Sequence, residues 1–78
     1  MIKVLLFAGM QERAGTNELE LDEDRLLISE IKNALQKKYD FPQMFQGCLS
    51  AVNEEFADDD TEVTSGDTVA FIPPVSGG

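Results

Sequence analysis

"IKVLLFA", Ile2 to Ala8, is the stretch on which the fold turns. Alternation places Ile2, Val4, Leu6 and Ala8 on one face of a strand and Lys3, Leu5 and Phe7 on the other. Both faces are largely apolar, so the strand is either central and covered twice, or offers one face to a partner. At the far end of the chain "TVAFI", Thr68 to Ile72, is a second run rich in β-forming residues. Two such strands at opposite ends of a short chain fit side by side at the centre of one sheet.

The intervening sequence supplies the remaining elements. Gly9 and Gly15 bracket a short irregular or single-turn segment, after which "NELEL", Asn17 to Leu21, alternates with Leu19 and Leu21 pointing inward. The connection is too long for a two-residue hairpin turn. In "RLLISEIKNALQKKY", Arg25 to Tyr39, the apolar positions Leu27, Ile28, Ile31, Leu35 and Tyr39 recur at helical spacing. The preceding acids place the N-cap at Asp22 or Asp24, and Lys37 and Lys38 suit the negative C-terminal end. Pro42 ends this region. "CLSAV", Cys48 to Val52, reads as a strand, Asn53-Glu54 as a turn, Glu55 to Ala57 as a short strand, and "SGD", Ser65 to Asp67, as another turn. Pro73 has no N–H for a ladder, so pairing ends at Ile72. A mixed sheet with one main amphipathic helix on one face is an α+β, ubiquitin-like β-grasp. Residues 1–72 form the domain and 73–78 a flexible C-terminal tail.

Composition narrows the function. The 78 residues carry 15 acidic and 6 basic side chains, a net charge of −9, which disfavours nucleic acid and anionic membrane surfaces. A basic protein partner fits that charge, as does simple solubility. The opening residues lack a secretory n-region, a cleavage pattern or a membrane-length apolar run, so the expected location is cytoplasmic. Cys48 is the lone cysteine, which leaves no internal disulfide, no zinc site and no ferredoxin-type cluster. It reads as a small buried hydrophobe rather than a sulfur relay. Histidine is absent, and with it the commonest general base. No phosphate-binding, dinucleotide-binding or zinc-protease motif occurs. The run Asp58 to Asp60 lacks the alternating ligands and glycine of a calcium loop and reads as a solvated turn, so no metal site is expected. The chain looks like something carried or acted upon by other proteins.

The last six residues, Pro73, Pro74, Val75, Ser76, Gly77 and Gly78, point to what is carried. Extended, they reach roughly 20 Å. The proline pair favours a stiff, extended exit, and the bare glycine backbone fits a channel where any Cβ would clash. The group delivered is the α-carboxylate of Gly78. A carboxylate resists nucleophilic attack, but adenylation by ATP turns it into a mixed anhydride that sulfur or nitrogen nucleophiles open.

The pieces "MIKVLLFA" at 1–8, "AVNEE" at 51–55, "GDTVAF" at 66–71 and "PPVSGG" at 73–78 closely resemble the small, sulfur-carrying subunit of molybdopterin synthase. The likeness spans essentially the whole chain and is weakest from Asp22 to Gly47. It implies that an E1-like enzyme adenylates Gly78 using ATP, and that sulfur from an indirect donor, through a persulfide, replaces AMP to give a thiocarboxylate. It further implies that the tail enters the large synthase subunit and donates sulfur to cyclic pyranopterin monophosphate. Catalytic residues are then expected on that large subunit, in a heterotetramer, with no cofactor bound to this chain. Gln11 stands where members often carry Arg, and Leu27 where a Thr cap is common before the helix. Two rivals share the terminal chemistry: a sulfur carrier for thiamin synthesis, and a ubiquitin-like modifier that ends in an isopeptide bond. A noncovalent adaptor with an idle tail is a third.

Strand parity also suggests where a partner sits. With Ile2, Val4, Leu6, Val69 and Phe71 inward, Leu5, Phe7, Ala70 and Ile72 fall on the outer face, joined by Phe56. One helix cannot cover both faces, so this side is the expected docking surface, with Phe7, Phe56 and Ile72 as anchors and Pro73, Pro74, Val75 and Ser76 following into the partner.

Overall fold

The computed structural model describes residues 1–39, 45 and 47–73. Five strands form the main sheet: β1 (Ile2–Leu6), β2 (Glu18–Leu21), β4 (Leu49–Val52), β5 (Glu55–Ala57) and β7 (Thr68–Ile72). Their order is β2-β1-β7-β4-β5, so the two ends of the domain meet at its centre. β1 and β7 run parallel, with Val4 beside Val69 and Leu6 beside Phe71; the other pairs of this sheet are antiparallel. A separate ribbon pairs β3 (Arg25–Leu27) with β6 (Glu62–Thr64). Among the described residues two helices, α1 (Ala8–Ala14) and α2 (Ile28–Tyr39), complete the fold, which is the mixed-sheet α+β grasp expected.

Ile2, Val4, Leu6, Val69 and Phe71 are fully buried, and with Met10, Ile28, Ile31, Leu35 and Val63 they form a single core cluster. Each such side chain contributes roughly 1.5–3 kcal/mol through burial. Slipping β1 by one residue would turn Lys3 inward, so register is strongly held. Phe45 packs its ring edge-on against Phe71, with centroids 5.1 Å apart.

Two departures from the sequence reading have clear causes. The segment between the glycines is a two-turn helix rather than a single turn, and Ala8 leaves the strand to begin it at a φ of 51°. Seven residues carry too few periodic positions to announce a helix; here Met10 alone is buried on α1. Gly15 closes it in the left-handed conformation, donating its N–H to Gln11 at 2.9 Å.

The second correction concerns α2, which begins at Ile28 rather than near Arg25; Arg25–Leu27 are the strand β3. Neither Asp22 nor Asp24 caps it. The Leu27 N–H donates to Glu30 Oε1 at 2.8 Å, half of a capping box. Ile28 N–H donates to the Thr61 carbonyl at 3.0 Å, and Ser29 N–H to the Asp59 carbonyl at 3.1 Å. The helix is thus capped by a segment some thirty residues downstream, roughly a signal no local pattern carries. The same segment is more than a solvated turn: Asp59 also pairs with the largely buried Lys32 at 2.6 Å, and Asp58 accepts from the Thr61 hydroxyl at 3.1 Å. The Arg25–Glu62 pair at 3.6 Å is exposed and contributes little.

Replacing Glu30 by Ala removes the one side-chain cap of α2 and is expected to cost about 0.5–1 kcal/mol. Thermal unfolding should register this as a drop of several degrees.

Candidate functional site

Alternation along the central strands builds the site. With the even positions of β1 in the core, Lys3 and Leu5 point to the opposite face. Register adds Thr68 and Ala70 beside them, Ala51 beside Ala70, and Leu49 beside Ile72. Among the described residues no helix covers this side, and Leu5, Phe7, Phe56, Ala70 and Ile72 line a shallow groove of about 360 Å³. Phe7 is 43% exposed and Phe56 75%, values that stand out for large aromatic side chains. The Lys3–Glu18 pair, 4.0 Å apart, and Glu20 border the groove on the β2 side. Asn53 and Glu54 border it at the hairpin end.

Phe7 reaches the groove because it is the last extended residue before α1, with φ −130° and ψ 156°. Phe56 reaches it because a two-residue turn folds β5 back on β4, setting Phe56 opposite Ala51. That turn, Asn53-Glu54, has φ values of 51° and 72°, the left-handed geometry that matches strand twist. The three proposed anchors are therefore brought together, and half-buried Pro73 directly follows Ile72. Pro74, Val75, Ser76, Gly77 and Gly78 lie outside the described residues. Leu49, 51% exposed, extends the same face and was missed. Its parity with Ala51 would have revealed it.

Among the described residues, little else offers chemistry. Cys48 is half-buried against the core, and burial pushes its thiol up, outweighing the opposing effect of Lys32. A thiol held protonated is a weak nucleophile. Among the described residues, no group of three or more His, Cys, Asp or Glu is placed to hold a metal ion. Among them also, no helix is long and apolar enough to cross a membrane.

One polar cluster beside the groove is well organised. The Asp67 carboxylate accepts from Thr64 N–H at 2.9 Å, from the Thr64 hydroxyl at 3.1 Å and from Asn53 Nδ2 at 3.0 Å. These bonds favour the charged form and hold its carboxyl below the usual carboxylate range, the Thr64 N–H contributing most. Gly66, at a φ of 96° that favours glycine, donates its N–H to the Met1 carbonyl at 3.0 Å.

Comparison with known proteins places this arrangement. The chain matches the ThiS family over residues 4–78. It is 37% identical to the molybdopterin synthase sulfur carrier subunit of Escherichia coli, each chain covered entirely at 100%. The crystal structure of SAMP1 from Haloferax volcanii is 26% identical, with a TM-score of 0.78 over 99% of this chain and 98% of that one. A chain of the complex of subunits 1 and 2 of the molybdopterin-converting factor from Helicobacter pylori shares the fold. That match has 23% identity and a TM-score of 0.72, covering 99% of this chain and 97% of that one.

Because the folded-state value of Asp67 is depressed, its stabilising contribution is complete above the ordinary carboxylate value of 3.8. It is lost as pH falls through the lower folded-state value. Acid titration of Asp67→Asn beside the parent, followed by circular dichroism, should show a stability gap that is constant near neutrality and narrows only in strong acid.

Proposed function

The chain belongs to the ThiS family, and on that premise we propose that it is the sulfur carrier of a molybdopterin synthase, charged and discharged at Gly78. The observation that carries this reading is the position of Ile72. It ends the central strand β7 on the uncovered apolar face, so a partner seated on that face lies where the chain leaves the domain. The Escherichia coli relative is by name a subunit, which supports a larger protein as that partner.

The chemistry proceeds in balanced steps. In the E1-like enzyme the Gly78 carboxylate attacks the α-phosphorus of ATP, releasing pyrophosphate and leaving an acyl adenylate. The terminal sulfur of a persulfide attacks the carbonyl carbon and AMP departs. A second thiol cleaves the resulting acyl disulfide, and the sulfur stays on Gly78 as a thiocarboxylate. In the large subunit this sulfur passes to cyclic pyranopterin monophosphate, and water restores the carboxylate. A dithiolene needs two sulfurs, so two charged carriers are used per product, which suits a heterotetramer. This chain supplies the docking face and the carried atom. It binds no cofactor itself and lacks a histidine base, so proton transfers fall to the large subunit. Such a cycle belongs in the cytoplasm.

The likeness to SAMP1, a small archaeal modifier protein, favours a second reading in which the activated Gly78 forms an isopeptide bond with lysines of target proteins. The two separate by mass. The fragment from Asp67 to Gly78 has no Met or Cys to confuse a sulfur-for-oxygen exchange. Incubation with ATP, the activating enzyme and a sulfur donor should add one sulfur to it, trappable by alkylation. Lysine conjugates without that product would establish the modifier, and neither product would overturn both. Phe7→Asp should weaken binding to the large subunit by roughly thirtyfold or more while the isolated domain stays folded. Unfolding of that variant would instead mark Phe7 as a core residue.

A further inference from the structure

Phe56 is the most exposed of the large apolar residues on the docking face, and little holds it there. It sits in a three-residue strand, β5, which among the described residues pairs only with β4. The hairpin turn that delivers it is also poorly suited to its task. In this turn geometry the second position favours Gly, yet Glu54 occupies it at a φ of 72°. An L residue with a side chain adopts that conformation at a cost, so something outside the turn must stabilise it.

The stabilising contact comes from Asn53. Its backbone N–H donates to the Thr68 carbonyl at 2.8 Å, extending the β4–β7 ladder one step past Val52 and Val69. The return bond of this pair is made by the side chain: Asn53 Oδ1 accepts from Thr68 N–H at 3.0 Å. The other end of the same amide, Nδ2, donates to Asp67 Oδ1 at 3.0 Å, and Asp67 is itself fixed by Thr64. One amide therefore holds the hairpin by both its donor and its acceptor to the start of the strand that leads to the tail.

We infer that Asn53, braced by Asp67, is a positioning residue for partner docking: it holds the β4–β5 hairpin at the angle that presents Phe56 to the large synthase subunit. This rests on the reading of the groove as the docking face. The clamp acts by ordering the anchor before binding, so that less freedom is lost when the partner arrives.

Asn53→Gly is the informative variant, because glycine suits the turn's left-handed φ and removes only the clamp. Titration calorimetry with the large subunit would compare the parent, Asn53→Gly, Phe56→Ala and the double variant, each first checked by thermal unfolding to be folded. Loss of the clamp should weaken binding by about tenfold, and loss of the anchor by roughly thirtyfold. The double variant should bind no worse than Phe56→Ala alone, since a clamp has nothing to position once the anchor is gone. Parent-like binding by Asn53→Gly, or effects that multiply in the double variant, would overturn the inference while leaving the docking face intact. Parent-like binding by Phe56→Ala would overturn the anchor, and the inference with it.

Discussion

The parallel pairing of β1 with β7, in which Val4 meets Val69 and Leu6 meets Phe71, is the constraint from which the rest of the molecule follows. It joins the two ends of the chain at the middle of the sheet, so every other strand must be added outside it. Because side chains alternate, the same register that seals the core turns Leu5, Ala70 and Ile72 to the opposite side. Core and uncovered apolar face are two consequences of one pairing. β7 is consequently paired on both sides, to β1 and to β4, and is among the best-held parts of the sheet.

The remaining elements close that central pair. α2 lays Ile28, Ile31 and Leu35 over it, and the ribbon β3–β6 adds Val63. The join between these pieces is polar: the carbonyls of Asp59 and Thr61 cap α2, and Lys32 reaches the Asp59 carboxylate. A small domain has few apolar residues to spare, so such backbone caps do much to fix where the helix sits. They also explain why part of the acidic surplus is structural. Others, Glu18, Glu20 and Glu54, border the apolar groove, where they favour partners of opposite charge.

The division of labour follows from this economy. The described residues build a platform with an uncovered apolar face, and the chemistry we propose asks of this chain the Gly78 carboxylate. Burial pushes the thiol of Cys48, the one cysteine, up, away from the thiolate that a sulfur relay would need.

Much of this was legible beforehand. Period-two alternation gave the inward and outward sets of β1 and β7, because a buried strand with a polar residue turned inward would be unstable. The apolar spacing gave α2, and the Asn53-Glu54 and Ser65-to-Asp67 turns announced themselves by residue type. What only the tertiary structure decided are features whose partners lie far apart in sequence. The start of α2 is set by carbonyls near residue 60, the short ribbon β3 exists because β6 is there to pair with it, and α1 is held by one buried methionine. The Asn53 clamp is of the same kind: an amide's two ends find Thr68 and Asp67 only once β7 lies beside β4. Local sequence determines which residues seek burial and where the chain must turn; long-range hydrogen bonds determine where elements begin, because their energy depends on a neighbour that sequence order does not name.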